Sequence, residues 1–288
     1  MIDILVIGGI FREVLQGDSK PRSQYGGSGM VASMSAARVG ARVALASYVG
    51  REDEEAVRHE LRLAGVDDGP VISVAGASGT FVFPTVSQDP PWPMYRPAEA
   101  TPIQTPQELP STAIVLAFGI PDYDPIAEGW LGAVDGVRTI IWDRQGWMSR
   151  ARDSGAIAAT SIDRKIYLAN ELEAMEEAER DSIDDALVLL PPHGFDLAVV
   201  KAGDKGVTVV KGRGASTKIE RIPAFPVKTS SSIGSGDVFA GAFAARLAQY
   251  DTPSKAAHWA CAAAAVALKS GTNRLGDDAI EAVERLLG

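Results

Sequence analysis

"SSSIGSGDVFAGAF", residues Ser230 to Phe243, joins two kinds of sequence. Its first half is small, polar and punctuated by glycine. Its second half is apolar with helical spacing: Phe239, Phe243 and Leu247 recur at four-residue intervals, with Val238, Ala242 and Ala245 beside them. The pattern predicts a helix running to about Tyr250, with Thr252-Pro253 capping the next one. Gly234, Ser235 and Gly236 therefore precede or open a helix N-terminus. Unpaired backbone N–H groups point outward there, and the helix dipole is positive. Two glycines let an anion approach the backbone without side-chain obstruction. Asp237 at this end has two readings. It caps the helix electrostatically, or it takes the proton from a hydroxyl attacking a phosphoryl group held by those N–H groups.

Short runs rich in Val and Ile surround this junction: "IDILVIG", "RVALASYVG", "TAIVLAFG", "RTIIWD", "KIYLAN", "DLAVVKAG" and "GVTVVKG". Most are near-continuous rather than alternating, as strands buried on both faces should be. Helical patterns lie between many of them. Residues 29–39 read as a helix closed by Gly40. Residues 52–64 place Val57, Leu61 and Ala64 on one face and close with Gly65. The alternation predicts an α/β sandwich around a mostly parallel sheet. Two segments break the rhythm. Residues 10–25 are polar and mixed, and residues 71–110 include "TFVFPTVSQDPPWPMYRPAEATPIQTP", whose prolines exclude a central strand or a helix. A plain surface loop is one reading; a small β lid formed by about residues 10–25 and 71–106 is the other, since long irregular segments in compact domains often cover sites.

The 288 residues read as a single domain, 46% hydrophobic and 23% charged. A net charge of -9 argues against nucleic acid as a partner, though a locally positive site can still take a small anion. Cys261 is the one cysteine, so no disulfide forms within the chain. The opening "MIDILVIGGI" lacks the basic region of a signal peptide. No apolar run approaches the ~18 residues of a membrane span. The expected location is the cytoplasm, away from any membrane. His59, His193 and His258 have no metal-ligand spacing. No Gly-x-x-x-x-Gly-Lys-Ser/Thr motif is present, which excludes a Walker-type ATPase.

The opening stretch resembles the C-terminal signature of the ribokinase-like (phosphofructokinase-B type) carbohydrate kinases, usually Asp-Thr-x-Gly-Ala-Gly-Asp-x-Phe. The resemblance continues in order along most of the chain. "GGSGMVASMSAARVGARVALASYVGRED" is similar to the N-terminal signature, "NELE" at residues 170–173 to the family's Asn-x-x-Glu motif, and "VVKAGDKGVTVV" to its nucleotide-lining strand-loop-strand. It implies a ribokinase-like three-layer α/β/α sandwich with a mostly parallel central sheet and a small β lid. It also implies phosphoryl transfer from ATP, with Mg2+, to a hydroxyl of a small sugar-like substrate. On this resemblance Asp237 is the general base, and Gly234, Ser235 and Gly236 with the Asp237 N–H form the anion hole. Lys201, Gly203 and Gly206 line the nucleotide. Asn170 and Glu173 act on Mg2+ through water, and Glu13, Gly26, Gly27 and Asp237 meet the substrate. Relatives commonly form homodimers through lid strands, which points to the stretch around Phe81, Val82 and Phe83. Each motif also has a plain structural reading. Asn170 and Glu173 fit a helix capping box, and "GDKG" fits a hairpin turn.

The chain departs from the family pattern at the acceptor side. Val31 stands where an asparagine usually bonds the sugar, Glu13 where an aspartate is usual, and Phe11 where its neighbouring asparagine is usual. These changes point away from ribose and similar standard substrates. Ser231 replaces the aspartate that helps hold a monovalent cation, which argues against potassium activation. In "WDRQGWMSR", residues 142–150, Gln145 or Arg150 is a candidate substrate contact or part of a solvated loop; Trp142 and Trp147 suit packing. Arg12 suits either an anionic substrate or a carboxylate partner. Alternatives within the family are a nucleoside or inositol kinase and a catalytically silent binding relative. Outside it, "GSGMVA" formally fits Gly-x-Gly-x-x-Ala of dinucleotide-dependent oxidoreductases, but that fingerprint must directly follow a strand, and here it follows polar sequence.

Overall fold

The Val- and Ile-rich runs become the strands of one sheet. The computed structural model describes residues 2–16, 21–83, 94–96, 108–118, 129–145, 154–229, 231–271 and 274–288. Among these, β1 (Ile4–Ile7), β4 (Val43–Gly50), β5 (Val66–Asp67), β6 (Val71–Val74), β9 (Ile114–Phe118), β10 (Thr139–Asp143), β11 (Arg164–Asn170), β12 (Leu197–Lys201), β13 (Val207–Lys211) and β14 (Lys218–Ile222) form a 10-stranded sheet. Its order is β14-β13-β12-β11-β10-β9-β1-β4-β5, with β6 also on β4. From β12 to β4 neighbouring strands are parallel; β13 and β14 add an antiparallel edge. The "GDKG" hairpin joins β12 to β13, and its Gly206 takes φ 101°, a conformation that suits glycine.

Burial on both faces explains the continuous apolar runs. Ile4 and Val6 of β1 join one core with helices α1 (Ser28–Arg38), α2 (Glu54–Leu63), α6 (Ser235–Ala248), α7 (Pro253–Lys269) and α8 (Ala279–Leu287). Leu5 and Ile7 join the other, with Trp130, Tyr167 and Leu187, on the side of α4 (Glu171–Ala178) and α5 (Ile183–Leu187). A short α3 (Ser154–Ala159) precedes β11. The result is the expected three-layer sandwich. Helices 29–39 and 52–64 appear as α1 and α2, closed by Gly40 at φ 91° and Gly65 at φ 80°. The Thr252 side chain accepts from the Lys255 N–H, with Pro253 in the first turn, as the sequence indicates. Gly241 lets α6 lie close on α1: a Cβ there would collide with the Ala32 carbonyl oxygen.

A second sheet of four strands, ordered β3-β2-β7-β8, is the lid: β2 (Phe11–Leu15), β3 (Arg22–Gly26), β7 (Thr80–Phe83) and β8 (Met94–Arg96). Two expectations change here. Val71–Val74, placed with the lid, instead pairs with β4 of the main sheet, extending its buried edge. The stretch around Phe81–Phe83 cannot pair edge to edge with a second copy, because β7 has β2 on one side and β8 on the other. The sheet's edges are β3 and β8. Much of the proline-rich stretch, with Trp147 and Arg150, lies outside the described residues.

Asp53, the last residue of "YVGRED", ties the lid to the body. Its buried carboxylate accepts from Arg12 Nε at 2.7 Å, from the Tyr25 hydroxyl at 3.0 Å and from the Ser78 N–H at 2.8 Å. Arg12 thus has a carboxylate partner. Burial pushes the Asp53 carboxyl up, but the bonds from Arg12, Ser78 and Tyr25 outweigh this and hold it below the usual range. Arg274 adds a second tie, reaching the Tyr25 carbonyl oxygen while paired with Glu60 at 3.0 Å.

Candidate active site

Parallel strands present all their carboxyl ends along one edge of the sheet, and open α/β sheets bind ligands there. β10 ends in Asp143, β11 in Asn170 and β12 in Lys201. Register puts Asp143 beside Leu168 and Asn170 beside Lys201. The lid sheet and the start of α6 close over this edge.

Gly234 is the N-cap of α6 at φ 79°, in the left-handed region. The Ser235 N–H donates to Ser232 O at 3.1 Å, and the Asp237 N–H to Gly234 O at 3.1 Å. The Gly236 N–H has no backbone acceptor among the described residues. With the Gly234 N–H, for which the same holds, it is an open donor of the loop. A Cβ added at Gly236 would lie 3.6 Å from Lys201 Nζ, so the ammonium flanks the same space. An anion seated there meets a helix N-terminus, a free N–H and a lysine together.

Lys201 is held by Asp143, which is fully buried; Nζ and Oδ2 are 2.6 Å apart. Asp143 Oδ1 has no hydrogen-bond partner among the described residues. Burial pushes the Asp143 carboxyl up to about 6 against the opposing charge of Lys201. For Lys201 itself burial works downward, but the charges of Asp143 and Glu173 reverse it and the ammonium's pKa is raised. Asp237 is half-buried and is pushed up to about 7, first by desolvation and then by the charge of Asp143. Lys201 opposes this, and Glu13 adds to it. Gln145 Nε2 donates to Asp237 Oδ1 at 3.3 Å. Gln145 has φ 48°, which a non-glycine residue seldom adopts; the turn it makes leaves its amide against Asp237.

Glu13 is buried under the lid. Its Oε1 accepts from the Gly27 N–H at 2.9 Å and its Oε2 from Gln24 Nε2 at 2.8 Å. Gly26 has no room for a side chain, because a Cβ would overlap the Glu13 carboxylate. Gly27 takes φ 94° where the chain leaves β3 for α1. "GSGMVA" therefore follows a strand of the antiparallel lid, not a parallel strand of the main sheet, so it is no dinucleotide fingerprint. Val31 is buried in the core.

On the other side of Lys201 lies a cavity of about 580 Å³. Lys201, Gly203, Gly206, Ser235 and Gly236 line its polar end; Phe225, Val227, Phe239, Cys261, Ala264 and Leu268 line its apolar end. A charged, backbone-rich end running into an apolar slot suits a nucleoside triphosphate. Asn170 and Glu173 line a separate groove beside α4. They form a full capping box: Asn170 Oδ1 accepts from the Glu173 N–H at 2.9 Å, and Glu173 Oε2 from the Asn170 N–H at 2.8 Å. The structural reading of this motif is thus realised. Among the described residues no group of three or more acidic, histidine or cysteine side chains could hold a metal ion unaided. The donors offered are hard oxygens, which fit a magnesium ion that keeps its waters and leans on phosphate.

The structure brings Asp237, Gly236, Lys201, Glu13 and Gly27 to one region, and adds Asp143, which the sequence reading did not single out. Its signal was available, as the carboxylate ending the predicted strand "RTIIWD".

The architecture is the ribokinase-like α/β fold. The chain overlays the crystal structure of aminoimidazole riboside kinase from Salmonella enterica with a TM-score of 0.79 and 18% identity, covering 99% of this chain and 100% of that one. It overlays adenosine kinase from Sinorhizobium meliloti with a TM-score of 0.78 and 18% identity, covering 99% of each. For ribokinase from Thermotoga maritima the TM-score is 0.75 at 19% identity, covering 100% of this chain and 99% of that one. In sequence, residues 165–278 match the pfkB family carbohydrate kinase profile, a span holding "NELE", "VVKAGDKG" and "SSIGSGD". A cytidine kinase of Thermococcus kodakarensis is 26% identical over 256 residues, 85% of this chain and 88% of that protein. The C-terminal part of the chain, residues 165–278, is thus similar to the pfkB family carbohydrate kinases.

Proposed function

We propose that this protein is an ATP-dependent kinase that transfers the γ-phosphoryl group to a hydroxyl of a small sugar or sugar-bearing acceptor. One observation carries the reading. The Asp237 carboxylate, which burial pushes up to about 7, stands in the first turn of α6 beside the open Gly236 N–H and the Lys201 ammonium. That is a base next to an oxyanion site, which phosphoryl transfer to a hydroxyl requires.

The roles follow from the positions. Lys201, Gly203 and Gly206 face the phosphates of ATP, whose base enters the apolar slot. Asn170 and Glu173 would reach Mg2+ through water; the ion supplies charge neutralisation on the phosphate oxygens. Glu13, fixed by Gly27 and Gln24, is the acceptor-orienting carboxylate. Asp237 accepts the proton of the attacking hydroxyl, and Gly236 with Gly234 and Ser235 forms the anion hole. The burial that raises Asp237 makes it a better base for a hydroxyl than an ordinary aspartate.

Within this class a nucleoside acceptor is supported by the lid. Phe11 and Phe81 meet edge to face at 4.8 Å on the lid face that carries Glu13. They offer an apolar wall suited to a planar ring. The cytidine kinase relative is named for such an acceptor. The test is ATP consumption against a panel of nucleosides, sugars, sugar acids and polyols, with Asp237→Asn as control. Turnover with one acceptor, lost in the variant, supports the reading; equal turnover in the variant refutes it.

A further inference from the structure

We propose that Asp143 is a positioning residue for this site: its carboxylate holds the Lys201 ammonium at the phosphate side of the anion loop and away from Asp237. The proposal rests on the kinase reading of the site and adds a residue to it. Lysine carries its charge on a flexible four-carbon stem and turns toward the nearest anion. Two carboxylates compete for Lys201, Asp143 at 2.6 Å and Asp237, whose charge also raises the lysine's pKa. A lysine paired with Asp237 would neutralise the base and leave the phosphate site empty of charge. The buried pair with Asp143 prevents both.

The way Asp143 is built in argues for this use. It is wholly buried, yet only Oδ2 has a hydrogen-bond partner among the described residues. Burying a carboxylate with an unmet oxygen is costly, and an apolar pair of the same volume is often no less stable. Stability alone therefore gives no reason for a charged pair at this place. Its place as the last residue of β10 fixes its height at the sheet edge, and β12 sets Lys201 at the same edge. Arg144, the next residue, locks this corner by donating to Glu173 O at 2.7 Å. Gln145 then lies against Asp237. One short segment, residues 143–145, thus touches the lysine, the helix of the Asn-x-x-Glu motif and the base.

The experiment compares wild type, Asp143→Asn, Lys201→Met, the double variant and Asp237→Asn, with folding checked by circular dichroism. Asp143→Ser, which also lacks the charge, serves if Asn is not tolerated. ATP affinity is measured by calorimetry. Loss of a charge-assisted phosphate contact weakens binding about tenfold or more. We expect Asp143→Asn to weaken ATP in this way, and the double variant to be no weaker than Lys201→Met. The second readout is the acidic limb of the kcat/KM profile. The charged groups acting on Asp237 are Asp143 from β10, Lys201 from β12 and Glu13 from β2, with the Gln145 amide bonded to it. Removing the Asp143 charge and freeing Lys201 both favour ionised Asp237, so the limb should move to lower pH, by about one unit or more. Wild-type ATP affinity in the Asp143 variants, or additive effects in the double variant, overturns the proposal, as does an unmoved limb. If Asp237→Asn abolishes turnover while the Asp143 variants bind ATP normally, the kinase reading stands and this one falls. If wild type turns over no acceptor but the ATP-binding coupling holds, the kinase reading fails and the positioning role stands.

Discussion

Replacing Asp237 by asparagine should do two opposite things: abolish chemistry and stabilise the fold at alkaline pH. The carboxyl is pushed from 3.8 up to about 7 by burial and by Asp143. Below about pH 4 the folded and unfolded chains both hold the proton, and the site costs nothing. Between about 4 and 7 the folded chain keeps a proton that the unfolded chain releases, so stability falls as pH rises. Above 7 the full cost is present. Of the roughly three-unit shift, about two units are felt between pH 5 and pH 8, a ceiling of about 3 kcal/mol at about 1.4 kcal/mol per unit. Solvent reaches the half-buried side chain, and discounting for that leaves about 1–2 kcal/mol. Asparagine escapes the whole effect. Its advantage over wild type should therefore grow between pH 5 and pH 8, by about 2–3 °C in midpoint. The assay is thermal unfolding of the ligand-free protein at both pH values. Acceptor phosphorylation should fall by about two to four orders of magnitude in the same variant. A stability difference independent of pH would mean the carboxylate is not desolvated, and the argument for a tuned base would collapse.

Gly236→Val should fold normally, since a Cβ there meets only Lys201 at ordinary contact distance, yet lose ATP binding by about tenfold or more in calorimetry as the side chain fills the anion site. Gly241→Ala should destabilise by about 1–3 kcal/mol in urea unfolding, because its methyl group collides with the Ala32 carbonyl in the α1–α6 contact; an unchanged midpoint would refute that packing. Asp53→Ala leaves Arg12, Tyr25 and the Ser78 N–H without their shared acceptor, and should raise the acceptor KM more than the ATP KM, seen in steady-state kinetics. Cys261, whose thiol burial pushes up to about 12, should react with a thiol reagent at pH 8 far more slowly in the native than in the unfolded protein, and more slowly still with ATP in the cavity it lines; equal native and unfolded rates would refute its burial.

Much of this was legible because the features are local. Continuous apolar runs mark strands buried on both faces, and Gly40, Gly65 and Thr252-Pro253 mark helix ends within a few residues of themselves. The junction at Gly234–Asp237 reads as a helix N-terminus from composition alone. The capping box at Asn170 and Glu173 shows a local motif satisfying its structural reading in full, which leaves its ligand role to be tested separately. What was illegible depends on long-range pairing. Asp53 and Arg12 are 41 residues apart, and nothing near either shows that one anchors the other. Asp143 and Lys201 are 58 apart and meet because β11 lies between their strands. The assignment of Val71–Val74 to the main sheet depended on its partner β4, not on its own composition.

The departures from the family pattern now acquire a direction. The groups proposed to face the phosphates come from strand ends and a helix N-terminus: Lys201, the hairpin glycines and Gly236. Their positions are fixed by sheet register and by the start of α6, so substitution there disturbs the transfer geometry itself. The groups proposed to face the acceptor come from elsewhere. Val31 sits on α1 with its side chain in the core, so the polar contact usual at that position is replaced by packing. Glu13 sits on the lid, and its longer side chain is held by the Gly27 N–H and Gln24. Such positions change without moving the phosphoryl site, because the lid joins the body through Asp53 and Arg274 rather than through the sheet edge. On the proposed reading, an acceptor site with one hydroxyl-bonding group fewer and more apolar wall should discriminate acceptors differently by large factors, since unmet polar groups are what reject a wrong ligand. On the proposed reading, the departures noted in the sequence therefore fall on the acceptor side, while the groups proposed to meet the phosphates lie at the strand ends and the start of α6.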